Sequence, residues 1–173
     1  MNVTELEQCI NEYGKDIYSF CRQLVYNQQD ADELYQDTFL KAMELLEHIE
    51  SEKNPKSYLL SISIRLWKNR KRKFAWRNQI VQMESLSKDE NEVEVKSDWS
   101  MEEEILRREQ REEIKKAVGE LAEKYRLPIC LYYMEEMSVA DIAKVLKLPQ
   151  GTVKSRLYQA RKLLKSQLSL EDF

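Results

Sequence analysis

The chain has 173 residues, enough for one domain or two small ones, and its hydrophobic fraction of 42% allows a buried core. No apolar run reaches the length of a membrane-spanning helix, and the first residues lack the basic and then apolar pattern of a signal peptide, so we expect a cytoplasmic protein. Only three Gly and three Pro interrupt the chain and the periodicities are helical throughout, which predicts an all-α fold.

The net charge of −3 conceals strong patterning along the chain. Residues 1–64 hold five Lys/Arg against twelve Asp/Glu, whereas residues 65–77 hold seven basic residues and no acid. Residues 78–104 are acidic again, and residues 138–167 hold seven Lys/Arg against one Asp. Because this acidic protein confines its positive charge to two patches, we expect both patches to bind polyanions.

Three helices are predicted before residue 78. The first starts at Thr4, where Glu7 completes a capping box, and the second runs from about Asp30 to Ile49. The third begins with Pro55 at its first position, where the missing amide hydrogen costs nothing. The second helix carries several carboxylates, which in principle suit a metal or acid–base chemistry. Without a neighbouring His or a phosphate-binding loop, a solvated acidic face is the plainer interpretation.

The end of the third helix, from Arg65 to Arg77, is basic with interleaved aromatic residues. Such a composition favours single-stranded nucleic acid, because cations follow the phosphates while rings stack on exposed bases. A helix end whose cations only complement the helix dipole would need fewer than these seven charges. We therefore predict that this segment contacts nucleic acid.

Residues 78–100 are acidic, polar and poorly periodic, which predicts a flexible linker. Its 23 residues can extend over roughly 75 Å at most, enough for two domains about two DNA turns apart. The predicted organisation is one small helical domain over residues 1–77, this linker, and a second over residues 101–173. The second domain opens with Ser100 and Glu103 as another capping box.

Two short helices separated by a tight break follow in the basic segment 138–164. Ser138 and Asp141 form a capping box at the start of the first helix, and Lys147–Leu148 make the turn before Pro149 opens the second. A helix-turn-helix of this kind places its second helix in the major groove of DNA. The alternative is a helical hairpin with a solvated basic face, which the short turn and the one-sided charge disfavour.

Residues 151–164, GTVKSRLYQARKLL, resemble the C-terminal DNA-binding domain of the extracytoplasmic-function (ECF) sigma factors, the small sigma subunits of bacterial RNA polymerase. Two departures are Lys147 and Glu136, which stand where the family often has Gly. The resemblance implies that the second helix of the motif binds the minus-thirty-five promoter element. The residues expected to do so are Lys154, Ser155, Arg156, Tyr158, Gln159, Arg161 and Lys162.

The same resemblance assigns roles to the N-terminal domain. Residues 30–39, DADELYQDTF, are similar to the segment with which these sigma factors bind the clamp helices of the polymerase's largest subunit. The residues expected to dock the polymerase core are Asp32, Glu33, Gln36 and Asp37. The third helix is expected to capture and melt the minus-ten element, although Arg65 and Asn69 depart from the family's pattern. The candidate minus-ten residues are Tyr58, Arg65, Trp67, Lys68, Asn69, Arg70, Arg72 and Lys73.

Three functions are open at this point. The favoured one is an alternative sigma factor, which is not an enzyme; its implied partners are core RNA polymerase, promoter DNA and an anti-sigma protein linked to the membrane. A helix-turn-helix regulator that dimerises through its N-terminal domain is the second, and it leaves the segment 65–77 without a role. An enzyme acting on nucleic acid is the third, and it lacks a nucleophile, a metal triad or a phosphate loop.

The cysteines and the histidine carry no recognisable site. Cys9, Cys21 and Cys130 are widely spaced and match no metal-ligand pattern, so we interpret them as reduced residues in or near the core, with redox sensing as the alternative. His48 is the single histidine, lies near a predicted helix end, and is assigned no role. We expect no metal, no cofactor and no small-molecule substrate.

Overall fold

The computed structural model describes four stretches of the chain: residues 1–25, 27–48, 54–78 and 101–168. These stretches contain helices and no strand, which confirms the predicted all-α class for them. The chain divides into two compact units, Met1–Asn91 and Glu92–Phe173, and the division falls inside the predicted linker. Residues 79–100 of that linker, including the predicted cap Ser100, lie outside the described residues.

The N-terminal unit is a bundle of three helices. These are α1 (Val3–Leu24), α2 (Gln28–Glu44) and α3 (Pro55–Asn78), with a short 3₁₀ turn, Leu46–His48, after α2. Each helix packs on the other two and contributes apolar side chains at helical spacing to one core. The largest fully buried side chains of this core are Ile17, Phe20, Leu34, Leu59, Leu60 and Ile62.

The start of α1 differs from the prediction. The helix begins at Val3, because Asn2 and Glu5 form a capping box two residues before the expected one. The Asn2 side chain accepts the Glu5 N–H at 2.8 Å, and the Glu5 carboxylate accepts the Asn2 N–H at 2.9 Å. The pair Asn2–Glu5 has the same spacing as the expected pair Thr4–Glu7. Capping at Asn2 makes the helix half a turn longer, which favours this pair over the other.

Asparagine side chains also fix the starts of α2 and α3. Asn27 accepts the Asp30 N–H at 2.8 Å, so α2 starts at Gln28, two residues earlier than expected. Asn54 accepts the Ser57 N–H at 3.1 Å, which leaves Pro55 as the first residue of α3, as predicted. In each case the cap supplies an acceptor for an amide that lacks an intrahelical partner.

The C-terminal unit contains four helices: α4 (Met101–Glu120), α5 (Glu123–Tyr133), α6 (Val139–Leu146) and α7 (Gln150–Leu168). The last helix, α7, packs against the other three, so it lies at the centre of the unit. Its buried residues meet apolar side chains of α5 and α6 in a small core. That core includes Leu127, Ile129, Leu131, Ile142, Val153, Leu157 and Ala160.

All three cysteines are buried and none forms a disulfide. This confirms that they are core residues. Burial raises the pKa of the Cys130 thiol to about 11, so the group is a neutral thiol near pH 7. A neutral buried thiol is a poor nucleophile and behaves as a small apolar side chain.

Candidate nucleic-acid and protein interfaces

The turn between α6 and α7 depends on a left-handed residue. Ser138 caps the start of α6, as predicted. At the other end Lys147 has a φ of 55°, and the Leu148 N–H donates to the Ala143 carbonyl at 2.9 Å. This geometry closes the helix as glycine usually does, at the cost of placing a Cβ in the left-handed region. Glu136, before α6, has a φ of 51°, so both positions keep a glycine-like backbone without glycine.

The face of α7 opposite the core is open and polar. Val153, Leu157 and Ala160 are at most 2% exposed and form the buried face of the helix. The remaining face presents the residues predicted to contact DNA. Lys154, Ser155, Tyr158, Gln159 and Lys162 are exposed, and Arg156 and Arg161 are half-buried. The structure therefore brings all seven predicted residues together along one helix.

One residue of this surface has a partner on another helix that the sequence did not indicate. The Arg161 Nη1 donates a hydrogen bond to the Tyr133 hydroxyl at 3.2 Å. Tyr133 is the last residue of α5, is half exposed, and packs edge-on against Tyr132 with ring centroids 5.0 Å apart. The contact spans 28 positions of sequence, so only the packing of α5 on α7 reveals it.

The basic segment of the N-terminal unit is the continuation of α3, which stays helical to Asn78. Most of its side chains reach solvent, including two aromatic rings outside the predicted set: Phe74 is 59% and Trp76 is 69% exposed. The exposed cations of this stretch are Arg65, Lys68, Lys71, Arg72 and Lys73. Exposed cations are thus followed by two exposed rings at the end of the helix, a combination found in proteins that bind single strands.

Trp67 does not belong to this open surface. The ring is 4% exposed because position 67 shares a helical face with Leu60 and Ile64, which face the core. The Lys71 ammonium also lies over the ring, 4.8 Å from its centroid. The Trp67 ring is therefore not open to solvent in this structure, whereas Phe74 and Trp76 are the exposed rings of the segment.

The predicted docking residues on α2 share a partly exposed face. Glu33 and Gln36 are exposed, whereas Asp32 and Asp37 are half-buried. Asp32 accepts a hydrogen bond from the Tyr18 hydroxyl at 2.7 Å. This hydrogen bond and, secondarily, burial raise the pKa of Tyr18. A tyrosine phenol is protonated at neutral pH in any case, and its hydrogen bond holds the Asp32 carboxylate against α1.

The packing of α2 on α3 joins two predicted sites. The Arg70 Nη2 lies 2.5 Å from the Asp37 Oδ2, and the Arg70 Nη1 lies 3.8 Å from the Glu33 Oε2. Arg70 was predicted to contact DNA, and both acids were predicted to dock the polymerase. Sequence reasoning did not connect them, because 33 positions separate Arg70 from Asp37.

Within the described stretches, no group of three or more His, Cys, Asp or Glu side chains is placed to hold a metal ion. No helix of that part of the chain is both long and apolar enough to span a bilayer. The acidic residues of α2 are spread along a helix face and pair with Tyr18 and Arg70.

Two family models match the chain in the two units. The model of Sigma-70 region 2 matches residues 9–77, and the model of Sigma-70 region 4 matches residues 111–164. Together they match more than two thirds of the chain. The first match includes α2 and the basic end of α3, and the second includes the helix-turn-helix.

Curated relatives resemble the chain over nearly its whole length. The RNA polymerase sigma factor SigV of Bacillus subtilis is 27% identical over 171 residues, covering 96% of this chain and 93% of the relative. The ECF RNA polymerase sigma factor SigW of the same organism is 26% identical over 164 residues, covering 92% and 86%.

Solved structures share the fold. The sigma factor RpoE of Bartonella quintana, in complex with the anti-sigma factor NepR, has a TM-score of 0.82 at 22% identity, covering 98% of this chain and all of the other. CnrH, in complex with the cytosolic domain of CnrY, has a TM-score of 0.68 at 19% identity, covering 99% and 92%. The family models and the full-length relatives lead to one conclusion: the chain belongs to the sigma-70 family, as an ECF sigma factor that directs RNA polymerase to promoters.

Proposed function

We propose that the two units divide promoter recognition between them, with the C-terminal unit on the minus-thirty-five element and the N-terminal unit on the polymerase and the minus-ten element. The single observation that carries this proposal is the outward face of α7. It presents seven polar or charged side chains from one helix of a helix-turn-helix, over a buried apolar face.

Within that face we assign base reading and backbone contact to different residues. Lys154, Ser155, Tyr158 and Gln159 are fully outward and lie in the first half of α7, the part of a recognition helix that reaches base edges. Arg156, Arg161 and Lys162 are assigned to phosphates, which fix register and carry no sequence information. Tyr133 holds the Arg161 guanidinium for that purpose.

The end of α3 is assigned to the minus-ten element. Its exposed cations can follow the backbone of an opened strand, and open rings beside them can stack on bases. Of the predicted set, Tyr58, Asn69 and Arg70 are half-buried and stand nearer the bundle. We propose them as the inner part of the same surface, with Trp67 supporting Lys71 from the core.

The acidic face of α2 is assigned to the polymerase core. Glu33 and Asp37 offer negative charge, and the exposed Gln36 between them can donate and accept hydrogen bonds. Charge complementarity with a basic pair of helices, the clamp of the largest subunit, would give a fast encounter and a fixed register. Asp32 belongs to the same face, and its carboxylate is held in position by the hydrogen bond from the Tyr18 hydroxyl.

Two further parts of the proposal concern regulation and place. The similar folds were solved with protein partners, the anti-sigma factor NepR in one case and the cytosolic domain of CnrY in the other. By analogy we propose that an anti-sigma protein linked to the membrane sequesters this chain. The chain would then work in the cytoplasm as a non-catalytic subunit, while the polymerase performs the chemistry.

Reconstituted transcription tests the proposal. Core polymerase, with and without the purified chain, is given fragmented genomic DNA of the host, and the 5′ ends of the transcripts are mapped. We expect new transcripts that start at defined sites sharing two upstream elements, only when the chain is present. A chain that binds DNA but leaves the start sites of core polymerase unchanged would be a regulator and not a sigma subunit.

A further inference from the structure

Two half-buried carboxylates of α2, Asp32 and Asp37, are each held by a side chain of a neighbouring helix. The Tyr18 hydroxyl of α1 donates a hydrogen bond to the Asp32 Oδ1 at 2.7 Å. The Arg70 Nη2 of α3 lies 2.5 Å from the Asp37 Oδ2. The two contacts differ in charge. Arg70 offsets the negative charge of Asp37, whereas the neutral phenol of Tyr18 orients Asp32 and leaves its charge intact.

The Asp32 carboxylate keeps acceptor capacity for a partner. An ionised carboxylate has about four lone-pair sites on its two oxygens, and the Tyr18 hydroxyl takes one of them on Oδ1. Asp32 is half-buried and not enclosed, so solvent reaches the side chain. A cation of a docking protein can therefore bind this carboxylate without displacing Tyr18.

The Tyr18 ring is itself fixed by aromatic packing. It meets the Tyr35 ring of α2 edge-on with centroids 5.5 Å apart, and Tyr35 meets Phe39 in the same way at 4.9 Å. Gly14 of α1 leaves room for this packing, since an added Cβ would lie 3.0 Å from the Tyr35 hydroxyl oxygen. Glycine inside a helix costs stability relative to alanine, and the close approach of Tyr35 is a reason for it here. The donor to Asp32 is thus a rigid side chain.

The other acids of this face lack that combination of charge and fixed position. Glu33 is exposed and has one more rotatable bond than Asp32, so binding must order its side chain. Asp37 must exchange its contact with Arg70 for the partner. A group that is already in place binds with a smaller entropy cost than a mobile one. Asp32 therefore offers an unneutralised charge in a preset position.

We infer that Tyr18 is a positioning residue for polymerase docking, which acts by holding the Asp32 carboxylate, and that Asp32 is the strongest acidic contact of α2. Helix α1 thereby takes part in docking although its own side chain need not touch the polymerase. This inference rests on the proposed function, since it requires that the acidic face of α2 binds the polymerase core.

The experiment removes the Tyr18 hydroxyl and keeps the ring. Full-length chains carrying Tyr18→Phe, Asp32→Ala or both are passed over immobilised core polymerase, and surface plasmon resonance gives the association and dissociation rates. Tyr18→Phe should bind roughly three- to ten-fold more weakly. The loss should appear in the dissociation rate, because the net charge that steers the encounter is unchanged. Asp32→Ala should weaken binding more than Glu33→Ala does.

The decisive result is the coupling between the two positions. In the Asp32→Ala background, Tyr18→Phe should bring no further loss, because no carboxylate is left to hold. A hydroxyl that only stabilised the fold would lower the free energy of unfolding in urea and weaken binding equally in both backgrounds.

Tyr13→Phe is the matched control on the same helix. A hydrogen bond with the Glu12 side chain is the main cause that raises the pKa of Tyr13, so this variant also removes a hydroxyl that is bonded to a carboxylate. Glu12 is not among the proposed docking residues, and Tyr13→Phe should leave polymerase binding unchanged.

Several results would overturn the inference while the docking face stands. They are an unchanged affinity of Tyr18→Phe, an equal loss with and without Asp32, an equal loss from Tyr13→Phe, and a larger loss from Glu33→Ala than from Asp32→Ala. Polymerase binding that survives Asp32→Ala, Glu33→Ala and Asp37→Ala combined would instead contradict the proposed docking face, and the role of Tyr18 with it.

Discussion

The two basic helical segments of this chain have similar composition and different surroundings. At the end of α3, Arg70 lies against Asp37 and Glu33 of α2, and Lys71 lies over the buried ring of Trp67. On α7, by contrast, none of the cations has a carboxylate partner among the residues that the structure describes; the one polar contact across helices joins Arg161 to the hydroxyl of Tyr133.

The difference shows that the number of positive charges in a segment does not say how many of its cations are free of internal ion pairs. The outward cations of α7 can meet phosphates without breaking an internal ion pair. To contact DNA as proposed, Arg70 must give up part of its interaction with the carboxylates of α2, which are themselves proposed to meet the polymerase. Docking of a basic partner on Asp37 would therefore release Arg70, which couples the two proposed functions of the N-terminal unit.

The largest expected effect is the loss of stability of the C-terminal unit, which carries the basic face of α7. Leu157 is 2% exposed in the small core beneath the recognition face. Leu157→Ala should destabilise the C-terminal unit by about 2–5 kcal/mol, a large part of what a small domain has. Urea denaturation and duplex binding would show the loss, while pull-down of core polymerase through α2 should persist. Leu163→Ala, at a position that is 40% exposed on the same helix, is the control and should cost far less.

The next effect tests whether the open face of α7 reads bases. Lys154→Ala should weaken binding to the minus-thirty-five element by about 1–3 kcal/mol and relax the preference at one base pair. Titration against a set of single-base variants of the element measures this. Lys165→Ala removes the same charge from an exposed position further along α7 and should leave the preference intact. Equal weakening by Lys154→Ala on all sequences would reassign Lys154 to a phosphate.

Local sequence rules predicted much of this architecture and failed where packing decides. The buried and exposed faces of α7 follow from periodicity within one helix, and Pro55 marked the start of α3 correctly. The contacts of Arg70 with Asp37 and of Arg161 with Tyr133 join different helices. No periodicity encodes which neighbouring helices meet, so neither contact could be predicted from the sequence.

The same limit explains two smaller differences. Trp67 lies in a basic segment with interleaved aromatic residues, which suggested a nucleic-acid contact. It is buried because it shares a helical face with Leu60 and Ile64. Two capping boxes are possible at the N-terminus, and α1 uses the one at Asn2. Starting the helix there makes it half a turn longer than a start at Thr4 and adds hydrogen bonds.

A smaller effect concerns the turn between α6 and α7. The basic segment of α3 has no such turn, because α3 is one continuous helix. Lys147 has a φ of 55°, a conformation that costs a side-chain-bearing residue about 1–2 kcal/mol and glycine little. After the entropy that glycine adds to the unfolded chain, Lys147→Gly should raise stability by about 0.5–1 kcal/mol. Lys144→Gly, inside α6, should lower it by about 1 kcal/mol. Calorimetry of both variants checks the sign; two losses would mean that the turn is not strained.

The coupling within the N-terminal unit is tested by a double-mutant cycle on the free, full-length chain. Asp37→Asn and Arg70→Gln are made singly and together, and their affinities for a labelled single strand of a mapped minus-ten region are measured by anisotropy. Asp16→Asn is the matched control, since it also removes one carboxylate from an ion pair, with Lys56 at 2.7 Å. Asp37→Asn should bind the strand about two- to five-fold more tightly than Asp16→Asn, because Arg70 is released. In the Arg70→Gln background the same substitution should bring no gain. Equal affinities of Asp37→Asn and Asp16→Asn, or a gain that persists without Arg70, would contradict the coupling.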